Sequence, residues 1–171
     1  MDSLKDIETR LLRLDEDADL LFEDDGRFTC ILVGGSALIL LGYITRATHD
    51  IDVLKTPAEL LALLSKYDMN NNVSAQIDNF PDDYLERVHK LNLPTHKIDF
   101  YTLSLEDLVV SKLAAGRDKD LADITTKKVL AELNWTQLEE CAEQVKLGML
   151  SDRAVQEFEI SYQEFVRWHR P

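Results

Sequence analysis

The feature that most constrains this chain is an apolar, β-prone run, Phe28-Thr29-Cys30-Ile31-Leu32-Val33, that stops at Gly34-Gly35 and resumes as Ser36-Ala37-Leu38-Ile39-Leu40-Leu41. Aromatic and β-branched residues suit a pleated strand, and paired glycines let the backbone turn where side chains would collide. The second run reads as a short buried helix closed by Gly42. The order is strand, glycine turn, helix.

A second strand follows after a short connection. In Asp50-Ile51-Asp52-Val53-Leu54 acidic and apolar residues alternate with the period of a strand that has one polar and one buried face, so both carboxylates share a face. Before this core, Leu4, Ile7, Leu11, Leu14 and Leu20-Leu21 recur at helical spacing, which predicts an amphipathic helix ending before Asp24-Asp25-Gly26. Thr56-Pro57-Ala58-Glu59 predicts a helix to about Tyr67 with Thr56 as N-cap in a capping box. The polar stretch from Asp68 to Asp83 reads mainly as loop, with a short strand near Val73–Ile77, another at Glu86–Val88, and a clearer one at Lys97–Tyr101. Ser104-Leu105-Glu106-Asp107 reads as a capping box for a helix over Leu108–Ala115 ending at Gly116. Helices are expected at Lys119–Glu132, Thr136–Lys146 and Ser151–Trp168.

These elements predict an α+β fold: one domain over 1–171, with an α/β core at 28–103 and a helical region at 104–171. The formal net charge of −13 argues against broad, sequence-independent binding to nucleic acid, which depends on Lys and Arg neutralising phosphates. Acidic runs such as Asp15-Glu16-Asp17 and Glu23-Asp24-Asp25 read as solubilising surface charge. No segment approaches the roughly 20 apolar residues of a membrane span, and the N-terminus lacks an export signal, so the expectation is a soluble, cytoplasmic protein without a membrane partner. Cys30 and Cys141 read as small buried side chains of a reducing compartment. His49, His89, His96 and His169 have no zinc-ligand spacing.

Two devices for phosphoryl or nucleotidyl transfer lie close together. Such chemistry is mostly positioning and charge neutralisation, with a triphosphate cradled and its charge met by Mg²⁺. Gly34 and Gly35 allow close approach of backbone to phosphate, and Ser36 adds a hydroxyl at a helix start, where unpaired N–H groups favour anions. Asp50 and Asp52, two residues apart on one strand, repel each other unless a cation lies between them, and Mg²⁺ is the hard, oxygen-preferring ion they suit. Asp99, centred in the Lys97–Tyr101 strand, is expected to join the same metal cluster or to act as general base. Lys112 falls on an apolar helical stripe, where an unpaired ammonium is costly and a triphosphate would explain it, as would a salt bridge. Asp120 and Asp123 either position Lys112 or face the substrate, and Arg46 either touches phosphate or shapes the connection.

Gly35-Ser36, thirteen intervening residues, Asp50-Ile51-Asp52 and the later Asp99 resemble the signature of the polymerase-β-like nucleotidyltransferase superfamily. Val33-Gly34-Gly35-Ser36-Ala37-Leu38 with Arg46-Ala47-Thr48-His49-Asp50-Ile51-Asp52 is more narrowly similar to small bacterial AbiEii-type, abortive-infection toxin-like nucleotidyltransferases. Lys112-Leu113-Ala114-Ala115 and Arg117-Asp118-Lys119-Asp120 extend that likeness into the helices. The resemblance implies a mixed sheet packed by helices with a C-terminal helical bundle. It also implies transfer of NMP from an NTP to an acceptor hydroxyl with release of pyrophosphate. Gly34, Gly35, Ser36, Arg46 and Lys112 would bind the nucleotide. Asp50, Asp52 and Asp99 would hold one or two Mg²⁺ ions. A toxin-like relative implies tRNA or a protein as acceptor and a neighbouring antitoxin. Two alternatives stay open on the same fold: an antibiotic-type small-molecule nucleotidyltransferase, whose cationic acceptor suits an acidic protein, and a non-catalytic module that binds nucleotide or a partner.

Overall fold

In the computed structural model, which describes residues 3–171, strand β1 (Phe28–Val33) is the centre of a five-stranded mixed sheet. The strand order is β3 (Met69–Asn70), β2 (Ile51–Lys55), β1, β5 (Ile98–Thr102) and β4 (His89–Lys90). β1 runs antiparallel to β2 and parallel to β5, while β2 and β3 are parallel and β4 and β5 antiparallel. Cys30, Leu32, Ile51, Val53, Ile98 and Phe100 are buried, as strand alternation requires of a face turned to the core. Helix α1 (Ser3–Leu21) buries the expected Ile7, Leu11 and Leu14, together with Ala18, and packs against α2 (Gly34–Leu40) and α3 (Leu61–Leu64).

The chain forms two compact units. The first comprises the residues up to Ala75 together with Val88–Leu103, and therefore holds the whole sheet; the second comprises Gln76–Arg87 and Ser104–Pro171. In the second, α4 (Leu105–Ala115) is the central element, buried continuously from Leu105 to Leu113 and packed against α5 (Asp118–Ile124), α7 (Trp135–Gly148) and α8 (Asp152–His169). Its start follows the capping expectation: the Ser104 hydroxyl accepts the Asp107 N–H at 3.1 Å, and left-handed Gly116 ends the helix. No helix among the described residues is long and apolar enough to cross a membrane.

Several local expectations are corrected. The single helix after Thr56 is three short helical turns, Ala58–Leu60, α3 and Ser65–Tyr67, because Pro57 is extended and no side chain caps the start. Val73–Ile77 lies in a 3₁₀ stretch, Asn72–Asn79, rather than a strand. Glu86 and Arg87 are also 3₁₀, since Arg87 turns to bind Asp83 and Asp107, and the strand follows at His89–Lys90. The Lys119–Glu132 helix breaks at Thr125-Thr126: Thr126 becomes the N-cap of α6 (Lys127–Glu132), a role in which threonine competes with helix continuation. Asp15 is not surface charge. It is buried, and its carboxylate accepts the backbone N–H groups of His96 at 2.8 Å, Lys97 at 2.8 Å and Ile98 at 2.6 Å, which fastens α1 to the start of β5. Both cysteines are free, and burial pushes each thiol up to about 12.

Candidate active site

The turn between β1 and α2 is built around its two glycines. Gly34 has φ +69°, a left-handed backbone, and a β-carbon there would stand 3.0 Å from Oδ2 of Asp52. At Gly35 a β-carbon would meet Nη2 of Arg46 at 2.6 Å, closer than real contacts allow. The missing side chains therefore let a carboxylate and a guanidinium close on the same turn. Asp52 arrives there because it pairs with Val33, the last residue of β1, across the antiparallel ladder. Asp50 lies one residue before β2, is exposed, and its carbonyl accepts the Thr48 hydroxyl at 3.2 Å. The two acids supply hard oxygen donors of the kind Mg²⁺ takes, in the number it commonly takes from protein.

Ser36 is placed differently from the expectation of a phosphate donor. It is 1% exposed, and its hydroxyl donates to the Val33 carbonyl at 3.1 Å, so it fastens the turn from within. This is the back-bonding to the preceding turn that serine readily makes in a helix.

The register does not bring Asp99 to Asp52. Asp99 pairs with Thr29, four residues before Val33 along β1, which offsets the two by about 13 Å along the strand direction, on strands that flank β1 on opposite sides. Arg27 grips both oxygens of Asp99, with Nη2 at 2.7 Å and Nε at 3.2 Å, and Lys90 Nζ lies at 2.8 Å. Arg27, then Lys90, hold its carboxyl down at about 2. A carboxylate so weakly basic and so fully engaged is ill suited to take a proton from an acceptor near neutral pH. Among the described residues no group of three or more His, Cys, Asp and Glu side chains gathers where a metal could sit.

Lys112 belongs to the helical unit and is buried there between two carboxylates, Asp120 at 2.7 Å and Asp123 at 2.9 Å. Arg117 Nε adds a 2.5 Å contact to Asp120. Burial pushes the Asp120 carboxyl up, but Arg117 and Lys112 together outweigh it and the net shift is downward. Asp120 and Asp123 thus position Lys112, and this ion network explains an ammonium on an apolar stripe.

Two residues at the site escape sequence patterns. Asn70 of β3 pairs with Asp52, and its Nδ2 donates to Asp52 Oδ1 at 3.2 Å. Arg10 of α1 donates through Nη1 to the His49 carbonyl at 2.8 Å and the Tyr67 carbonyl at 3.4 Å, bracing the segments that lead into β2 and β3. Arg10 carried one weak signal, its i,i+4 spacing from Asp6, to which Nη2 donates at 2.7 Å. Asn70 carried none, because a polar asparagine run reads as loop.

Over residues 9–170, nearly its whole length, the chain matches the family described as nucleotidyltransferase of unknown function (DUF6036), and it belongs to that family. Its mixed sheet and abundant helix agree with a nucleotidyltransferase fold. No curated protein and no solved structure matches the chain.

Proposed function

We propose that this member of the nucleotidyltransferase family transfers NMP from an NTP to an acceptor hydroxyl, with the β1–α2 turn and Arg46 receiving the triphosphate and Asp50 and Asp52 holding Mg²⁺. The observation that carries this reading is the turn itself: two β-carbons are missing where they would strike Asp52 and Arg46. A cradle lined by one carboxylate and one guanidinium fits a metal-bound triphosphate better than it fits either ion alone. When bound, the ion would neutralise charge on the phosphate oxygens. Arg46 would orient the anion through its planar fork of donors, and the turn would let the backbone N–H groups approach closely. The acceptor oxygen forms a bond to the α-phosphorus, the bridging bond to the β-phosphate breaks, and pyrophosphate leaves while the acceptor proton passes to solvent. Asp99, clamped at the other end of the sheet, takes no part in this reading.

The AbiEii-like motif runs support a macromolecular acceptor such as tRNA, with an antitoxin as partner. The acidity of the chain supports a small cationic acceptor instead. Incubation with each α-labelled NTP, Mg²⁺ and a cell extract, beside an Asp50→Asn/Asp52→Asn control, separates these. Label in RNA supports the toxin-like reading, and label in protein supports a protein-modifying enzyme. Label in small molecules supports the antibiotic type. Absence of acid-dependent label with every NTP would sink the catalytic reading.

A further inference from the structure

We infer that Asn70 is a positioning residue that fixes the rotation of the Asp52 carboxylate so that one oxygen faces the β1–α2 turn; the inference rests on the reading of Asp52 as a metal ligand. A carboxylate rotates easily about its last side-chain bond, so a strand alone does not decide where its two oxygens point. Asn70 holds one of them. The parallel pairing of β2 and β3 sets Asn70 directly beside Asp52, and Nδ2 donates to Oδ1 at 3.2 Å. Oδ2 is then the oxygen directed at Gly34, 3.0 Å from where a β-carbon would stand.

The amide of Asn70 is itself fixed. Its Oδ1 accepts the backbone N–H of Asn72 at 3.0 Å. A flip would set the amide NH₂ against that N–H and the amide oxygen against the carboxylate, so only one orientation satisfies both neighbours. The strand beneath is held as well: Asp68 turns the chain with φ 52°, its carbonyl accepts the Ile51 N–H at 3.2 Å, and Arg10 binds the Tyr67 carbonyl. A neutral amide also suits the task physically. It orients a carboxylate without cancelling the charge that attracts a cation, which is how outer-shell partners tune metal ligands.

The test is Mn²⁺ alone titrated into the wild type and the Asn70→Ser, Asn70→Ala and Asp52→Asn variants, with free Mn²⁺ read by electron paramagnetic resonance and thermal melting followed in parallel. Serine can still accept the Asn72 N–H as a hydroxyl turn but is too short to reach Asp52. The expected result is that Asn70→Ser melts as wild type yet binds Mn²⁺ about tenfold more weakly, and that Asn70→Ala binds at least as weakly. The rate of nucleotidyl transfer at saturating NTP should fall with them while KM for NTP holds. Mn²⁺ binding by Asn70→Ser within about twofold of wild type, beside a weakened Asp52→Asn, overturns the inference alone. Affinity that merely tracks melting in both Asn70 variants overturns it too. Unchanged binding by Asp52→Asn removes the metal reading itself.

Discussion

Asp52 and Asp99 project from the same face of one sheet and have different surroundings. Asp52 pairs with the last residue of β1, accepts an asparagine amide and faces a turn without β-carbons. Asp99 pairs with Thr29 near the start of β1 and is held by an arginine fork and a lysine. Both look alike in sequence, as single acids between apolar neighbours. The first setting keeps a carboxylate oriented beside a cradle; the second makes it one arm of a surface-facing ion cluster. What separates them is the level at which each strand enters the sheet.

The comparison breaks if the two acids behave alike. Asp52→Asn should lower nucleotidyl transfer by about a thousandfold or more, some 4 kcal/mol of transition-state stabilisation, while Asp99→Asn stays within a few-fold of wild type in the same assay. A third carboxylate of the same unit sharpens the contrast, because Asp15 is purely a clamp. Asp15→Ala leaves three backbone N–H groups at the start of β5 without their acceptor, and urea denaturation should show a loss of about 3 kcal/mol.

At the cradle, Gly35→Ala must push Arg46 aside, since its β-carbon would stand 2.6 Å from Nη2. The expected outcome is about a tenfold rise in KM for NTP, measured at saturating metal. The smallest effect belongs to Asp99 and appears only in acid. Its folded pKa of about 2 lies below the ordinary 3.8, so its contribution to stability is present above pH 3.8 and fades as the pH falls towards 2. Its cationic partners are 41% and 57% exposed, so solvent screening limits that contribution to about 1 kcal/mol. Melting curves between pH 5 and pH 2 should fall less steeply for Asp99→Asn than for wild type, the remaining slope belonging to other paired carboxylates such as Asp120.

Legibility followed the range of the interactions. The β1 strand, its glycine turn and α2 are written in consecutive residues, as are the amphipathic stripe of α1 and the Ser104 cap, because each depends on neighbours within a turn or a pleat. Local signals failed where a distant partner outbid them. Arg87 could not extend a strand once it bound Asp83 and Asp107. Asp15 read as one of three surface acids until β5 offered it three N–H groups.

The sequence by itself determined the chemistry available at the turn: two glycines, a following helix, and acids at positions 50 and 52, of which Asp52 alone lies within β2 and has its face set by the period of a strand. Tertiary structure decided which further residues join them. It aligned Asn70 with Asp52 through a parallel pairing, set Asp99 four residues away along β1, and enclosed Lys112 between Asp120 and Asp123. Register between strands and packing between helices are fixed by contacts far apart in the chain, and no local spacing encodes them.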